Sequence, residues 1–206
     1  MAHHRKFMAA AVAINTAIVV VEAGAGFQAN SLSLLMDSVH NLSDELALIF
    51  LFLAYVTSTG LSRNMQRSAN LLNSAGLIAM SGLLLWQAAS RVFEPRPVLG
   101  WVAVVVGLAA AAANWGVARL LLQPSKDNPA VRLAYIHNLG DVYVSLAPVA
   151  AGVLVTVSGQ AIIDPLIASF IALYILWSTV REVTVSRDDL IWPEKIVCDH
   201  AANSQT

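Results

Sequence analysis

The sequence predicts an all-α integral membrane protein, a bundle of six transmembrane helices with both termini cytoplasmic. Three observations carry this. Hydrophobic residues make up 57% of the 206 and charged residues only 12%, where soluble domains carry about 25% charged. Apolar runs of spanning length, about 20 residues, recur between short polar segments. Ten of the twelve lysines and arginines fall on one side of the resulting topology, and basic residues concentrate in cytoplasmic loops.

The first helix is expected over 7–28, behind the basic MAHHRKFM. Its apolar run is long enough to span, and no small-residue cleavage site is well placed, so it reads as a retained helix rather than a signal peptide. The second helix covers 32–58, entered through NSLS, and TGLSRN leads to the third at 69–91. EPRP at 94–97 precedes the fourth at 98–122, and QPSKDNP at 123–129 precedes the fifth at 130–157. SGQ at 158–160 turns into the sixth at 162–184, where Asp164-Pro165 reads as an N-cap with proline in the first turn. The organisation is thus a cytoplasmic N-terminus at 1–6, a transmembrane domain at 7–184 and a short cytoplasmic tail at 185–206.

Arg5, Lys6, Arg63, Arg67, Arg119, Lys126, Arg132, Arg181, Arg187 and Lys195 lie on the cytoplasmic side, with Arg91 and Arg96 opposite. Pro148, Gly140 and Gly152 offer the fifth helix places to bend, and GLAAAAANWGVA gives the fourth small residues for close contact. Trp101 is expected as an interfacial anchor. His3, His4, Cys198 and His200 read as residues of the two termini. A net charge of −1 gives no reason to expect a nucleic-acid partner; the lipid bilayer is the partner the composition implies. The single cysteine excludes an intramolecular disulfide framework and a cysteine-rich metal cluster.

Two short motifs carry chemistry. LMDSVHNLSDELAL holds His40 and Asp44, and AYIHNLGDVYVS holds His137 and Asp141. Residues four apart share one helix face, and an ionisable side chain in lipid costs roughly 2.5–3.5 kcal/mol even on the lenient insertion scale. Two matched pairs are therefore hard to read as accidents. If helices two and five face each other, two imidazoles and two carboxylates converge. An N2O2 set suits a tetrahedral divalent ion: zinc first, then cobalt, cadmium and iron(II). Missing thiolates argue against copper(I), and the lack of an all-carboxylate cage argues against magnesium or calcium. Interhelical hydrogen bonding is the structural alternative. Haem ligation by the histidines is another, but haem requires no carboxylate four residues later. An intramembrane metalloenzyme would keep an open coordination position, yet neither an HExxH helix nor a separate general base accompanies the motifs. A metal sensor or assembly subunit that does not transport stays open. Beside the site, Asp37 could guide an outgoing ion, hydrogen-bond a ligand or cap its helix, and Asn41 and Ser145 could orient ligands or serve polar packing. Glu22, in helix one, reads as structural or as part of a proton path.

With their flanks, these motifs resemble the cation diffusion facilitator family. VVVEAGAGFQANSLSLLMDSVHNLSDELALI is similar to its signature: a late glutamate in helix one, then Asp-x-x-His-x-x-x-Asp in helix two. NPAVRLAYIHNLGDVYVS is similar to its helix-five motif, and RVFEPRPV and IDPLIASFIALYILWS resemble the connection before helix four and the sixth helix. The resemblance covers approximately 10–185 and implies a metal/proton antiporter of the zinc-type branch, not an enzyme, in the plasma or inner membrane. It implies that His40, Asp44, His137 and Asp141 form the transport site. It also implies a substrate among Zn2+, Co2+, Cd2+, Fe2+ and Mn2+, and a homodimer, joined here through the membrane domain. The chain departs from the family pattern in three respects: the usual C-terminal cytoplasmic domain, a histidine in the second–third loop, and a His-rich fourth–fifth loop.

Overall fold

Long apolar runs interrupted only by turn residues leave the backbone one economical way to satisfy its hydrogen bonds in lipid, the helix. A computed structural model describes residues 2–56, 63–126 and 129–185, and no strand occurs among them. The helices are α1 (Ala2–Ala29), α2 (Leu32–Val56), α3 (Arg63–Phe93), α4 (Gly100–Leu121), α5 (Pro129–Val144), α6 (Leu146–Ser158) and α7 (Ile163–Val185), with a 3-10 turn at Pro124–Lys126. The connection at 57–62, residues 127–128 and the tail with Arg187, Lys195, Cys198 and His200 lie outside the described residues. So do the side chains of His3, His4, Arg5, Arg63 and Arg67.

Five stretches are long and apolar enough to cross a membrane: Ala9–Ala29, Asn73–Phe93, Gly100–Leu121, Ala134–Ser158 and Ile163–Arg181. The bundle is an all-α, multi-pass integral membrane protein. Its outer surface carries Phe27, Trp86, Trp115, Phe170 and Trp177, all exposed, as contact with acyl chains allows. Trp101, expected as an interfacial anchor, is exposed in the first turn of α4. At 25 residues, α2 is about 38 Å long, but Asp37, Asp44 and Glu45 lower its apolarity. It spends those polar groups inwards: α2 is the central helix and packs against each of the others.

The first helix starts at Ala2, ahead of the apolar span at Ala9–Ala29. Two expectations are corrected. The fifth helix is two helices, divided at Ser145. Pro148 has no N–H for the Val144 carbonyl and its ring crowds that carbonyl, so the first helix ends there and proline sits in the first turn of the next. Asp164, expected to cap its own helix, instead caps α2 from 132 residues away. Its Oδ2 accepts the Leu32 N–H at 2.6 Å, and its Oδ1 accepts the Ser31 and Ser33 hydroxyls at 2.7 and 2.6 Å. The first amides of a helix lack partners of their own and carry its positive end, so a carboxylate is well matched there.

Asn30, at φ 57°, closes the α1–α2 turn in the left-handed conformation that asparagine tolerates. Arg91 of α3 donates to the Asn30 carbonyl at 2.5 Å and to its Oδ1 at 2.6 Å, while Asn30 Nδ2 donates to the Pro97 carbonyl at 3.1 Å. Together with Asp164, these bonds gather the α1–α2, α3–α4 and α6–α7 connections at one end of the bundle. Helices α4 and α6 nearly touch backbones: a Cβ at Gly100 would lie 2.5 Å from the Gly152 carbonyl oxygen. Lipid supplies no hydrophobic drive between helices, so such close packing takes over that role.

Candidate metal centre

The four-residue spacing puts His40 and Asp44 on one face of α2, and His137 and Asp141 on one face of α5. These faces meet. His137 Nε2 lies 2.6 Å from Asp44 Oδ1, and His40 Nε2 lies 3.3 Å from Asp141 Oδ1. Within each helix the pairs are wider: 3.7 Å for His40–Asp44 and 4.0 Å for His137–Asp141. The tighter contacts thus run between the helices, and each carboxylate faces both imidazoles. His40, Asp44 and Asp141 bring donor atoms within 4.8 Å of one another. His137 joins through Asp44 from the rim, its ring centroid 6.1 Å from that of His40.

Metal–donor distances of about 2.0–2.1 Å in a tetrahedron correspond to donor–donor spacings of about 3.3 Å. The spacings seen here straddle that value. A small ion requires the His137–Asp44 pair to open by well under 1 Å and the wider pairs to close by similar amounts.

Asp141 and Asp44 are 5% and 10% exposed, whereas His137 is 50% exposed. That side faces a cavity of about 340 Å³ between α2, α3, α5 and α7, with Tyr174, Ser178 and Thr179 on its α7 wall. Those α7 residues lie in the half away from Asp164. Ser43, also on the wall, accepts a 2.7 Å hydrogen bond from Asn73 Nδ2 of α3. Towards the Asp164 end the site is closed: Glu22, Asp37 and Ser145 are fully buried.

The residues expected beside the site form a layer of their own. Asn41 Nδ2 donates to Glu22 Oε2 at 2.7 Å, and Asn114 Nδ2 of α4 reaches Ser145 Oγ at 3.2 Å and Asn41 Oδ1 at 3.5 Å. Asn41 and Ser145 therefore point to Glu22 and Asn114 rather than to the imidazoles. Asn114 does not stand out in the sequence; its one signal is an amide in the run AAAAANWG.

A polytopic helical bundle with a buried histidine–carboxylate cluster between two of its helices is the class that fold and site define. The chain belongs to the cation efflux family, whose transmembrane domain matches residues 8–191. It is 30% identical over 190 residues to the zinc transporter ZitB of Escherichia coli (strain K12), covering 88% of this chain and 61% of that relative. Similarity extends to ZitB of Yersinia pestis, 30% identical over 191 residues, with 88% and 61% covered. The cadmium, cobalt and zinc/H(+)-K(+) antiporter of Bacillus subtilis (strain 168) is 27% identical over 173 residues, with 79% and 56% covered. The chain spans about 61% of the length of the ZitB relatives.

Proposed function

We propose that this chain exports a divalent cation, zinc first, from the cytoplasm by metal/proton antiport through His40, Asp44, His137 and Asp141. The observation that carries the reading is the convergence of these four side chains, two from each of two helices, within hydrogen-bonding reach across the interface. The names of the relatives, zinc transporters and an antiporter of cadmium, cobalt and zinc, support the substrate class. Those relatives are transporters, and the site binds and releases its ion without covalent chemistry. Cobalt and cadmium are the next substrates; iron(II) and manganese follow as weaker fits.

Six crossings, with α5 and α6 sharing one, put both termini in the cytoplasm of a bacterial-type inner membrane. The ten-to-two distribution of basic residues supports this orientation. The Asp164 end then faces outwards, and the cavity beside His137 opens towards the cytoplasm. Alternating access consists of closing that cavity and opening the layer around Asp37. The functional unit is a homodimer joined through the membrane helices, as the family resemblance implies.

Imidazole ligates only when neutral, so protons and metal compete for the same donors, which couples their movements. Exporting a dication against an inside-negative potential costs about 4.6 kcal/mol per 100 mV, and each entering proton returns about 2.3. Exchange for two protons is electrically neutral and leaves the pH gradient, about 1.4 kcal/mol per unit per proton, as the driving force.

The test is zinc uptake into dye-loaded proteoliposomes under an imposed pH gradient. Asp44→Ala and His137→Ala should each abolish uptake, and unchanged uptake in either would remove the site assignment.

A further inference from the structure

One turn from the His/Asp cluster, towards the closed end, five polar side chains meet: Glu22 of α1, Asp37 and Asn41 of α2, Asn114 of α4, and Ser145 between α5 and α6. None is more than 3% exposed. The Asp37 carboxyl lies against the Glu22 carboxyl and the Ser145 hydroxyl, but at no distance and angle that makes a full hydrogen bond to either of its oxygens. Glu22 Oε1 is likewise without a partner, although Oε2 accepts from Asn41. Among the described residues no lysine or arginine pairs with either carboxyl. An amide and hydroxyl network alone would join these helices; the Asp37 carboxyl and Glu22 Oε1 add the cost of burial in a dry layer without a hydrogen bond of their own.

Resting on the transport reading, we propose that Glu22, Asp37, Asn41, Asn114 and Ser145 form a second, all-oxygen divalent-cation station on the outward path. The three unpartnered carboxyl oxygens, the two amide oxygens and the serine hydroxyl supply enough donors for six-fold oxygen coordination. Without imidazole the station holds zinc more weakly than the His/Asp cluster, which suits the last stop before release. Asn41 follows His40 directly, and Ser145 lies one turn after Asp141 at the helix break. A rearrangement there changes both stations together.

Manganese(II), an oxygen-preferring ion visible by electron paramagnetic resonance, is the probe. The full chain in lipid nanodiscs, carrying Asp44→Ala and Asp141→Ala, should bind one Mn2+ with no nitrogen modulation in the pulsed spectrum. Adding Asp37→Asn or Glu22→Gln should weaken that binding roughly tenfold or more. Absence of bound Mn2+, nitrogen modulation from an imidazole, or unchanged affinity after Asp37→Asn would overturn the station. Should the double variant fail to fold, the unmutated chain preloaded with one equivalent of Zn2+ must show the same oxygen-only Mn2+ signal, and its absence there would also overturn the proposal. Zinc flux separates the two ideas: persistent uptake in Asp44→Ala sinks the transport reading, whereas loss of uptake with no Mn2+ signal sinks only the station.

Discussion

His137 Nε2 stands 2.6 Å from Asp44 Oδ1, closer than the about 3.3 Å edge of a tetrahedral zinc site. In the proposed site this contact is a hydrogen bond that an arriving ion would replace with two metal bonds, so protons there oppose the ion. The sign follows: metal binds the deprotonated donors, and apparent affinity falls as pH falls. If two protons are displaced, apparent Kd should rise up to about a hundredfold per pH unit once both donors are protonated. Calorimetric zinc titrations between pH 5.5 and 8 measure this, and a flat profile would contradict proton competition. Asp164 is the other consequential side chain. Asp164→Ala removes the buried acceptor of the Leu32 and Ser33 amides and of the Ser31 and Ser33 hydroxyls, leaving the two hydroxyls only each other to donate to, at 3.2 Å. At about 0.6 kcal/mol for an average intramembrane hydrogen bond, the loss should be about 2 kcal/mol, measured by unfolding in mixed micelles. The four candidate ligands were legible because lipid penalises each ionisable side chain, so a His/Asp pair repeated at the same four-residue spacing stands out from its apolar helix. The partner of Asp164 was not: a carboxylate beside proline looks like a local cap, and nothing local indicates a helix 132 residues away.

At the scale of elements, the break at Ser145 is what distinguishes this bundle from six unbroken rods. Pro148 and the neighbouring glycines marked a bend in the sequence; the missing N–H and the ring of Pro148 make it a division into two helices, and α6 packs on α4. Restoring the missing donor with Pro148→Ala should leave thermal stability equal or higher while slowing zinc flux several-fold, because a continuous helix resists rearrangement at the site. Equal flux would show that the break is not used. The α4–α6 contact behaves differently. A side chain at Gly152 would meet backbone at Gly100 and the Val104 methyl. Overpacking of this kind costs about 3 kcal/mol at the upper end, so Gly152→Val should destabilise the chain and abolish transport. Helix existence was readable from apolar length, and most boundaries follow from Asn30, the EPRP turn and Gly159. The start of α3 at Arg63 was not, since RNMQRSAN has no apolar periodicity to signal it.

For the whole molecule, the two ends are unlike. One is tied by Asp164, Arg91 and Asn30 across three connections; the other leaves a cavity running to His137. That asymmetry fits one access state of the proposed alternating carrier, with the open end on the cytoplasmic side in the proposed orientation. The central claim is that donors from α2 and α5 hold one ion together. X-ray absorption at the zinc edge, on the full chain with one equivalent of Zn2+, tests it most directly. A shared site should show four neighbours at about 2.0–2.1 Å, with multiple scattering from two imidazoles and no sulfur. A six-oxygen shell, or a sulfur at about 2.3 Å, would contradict it.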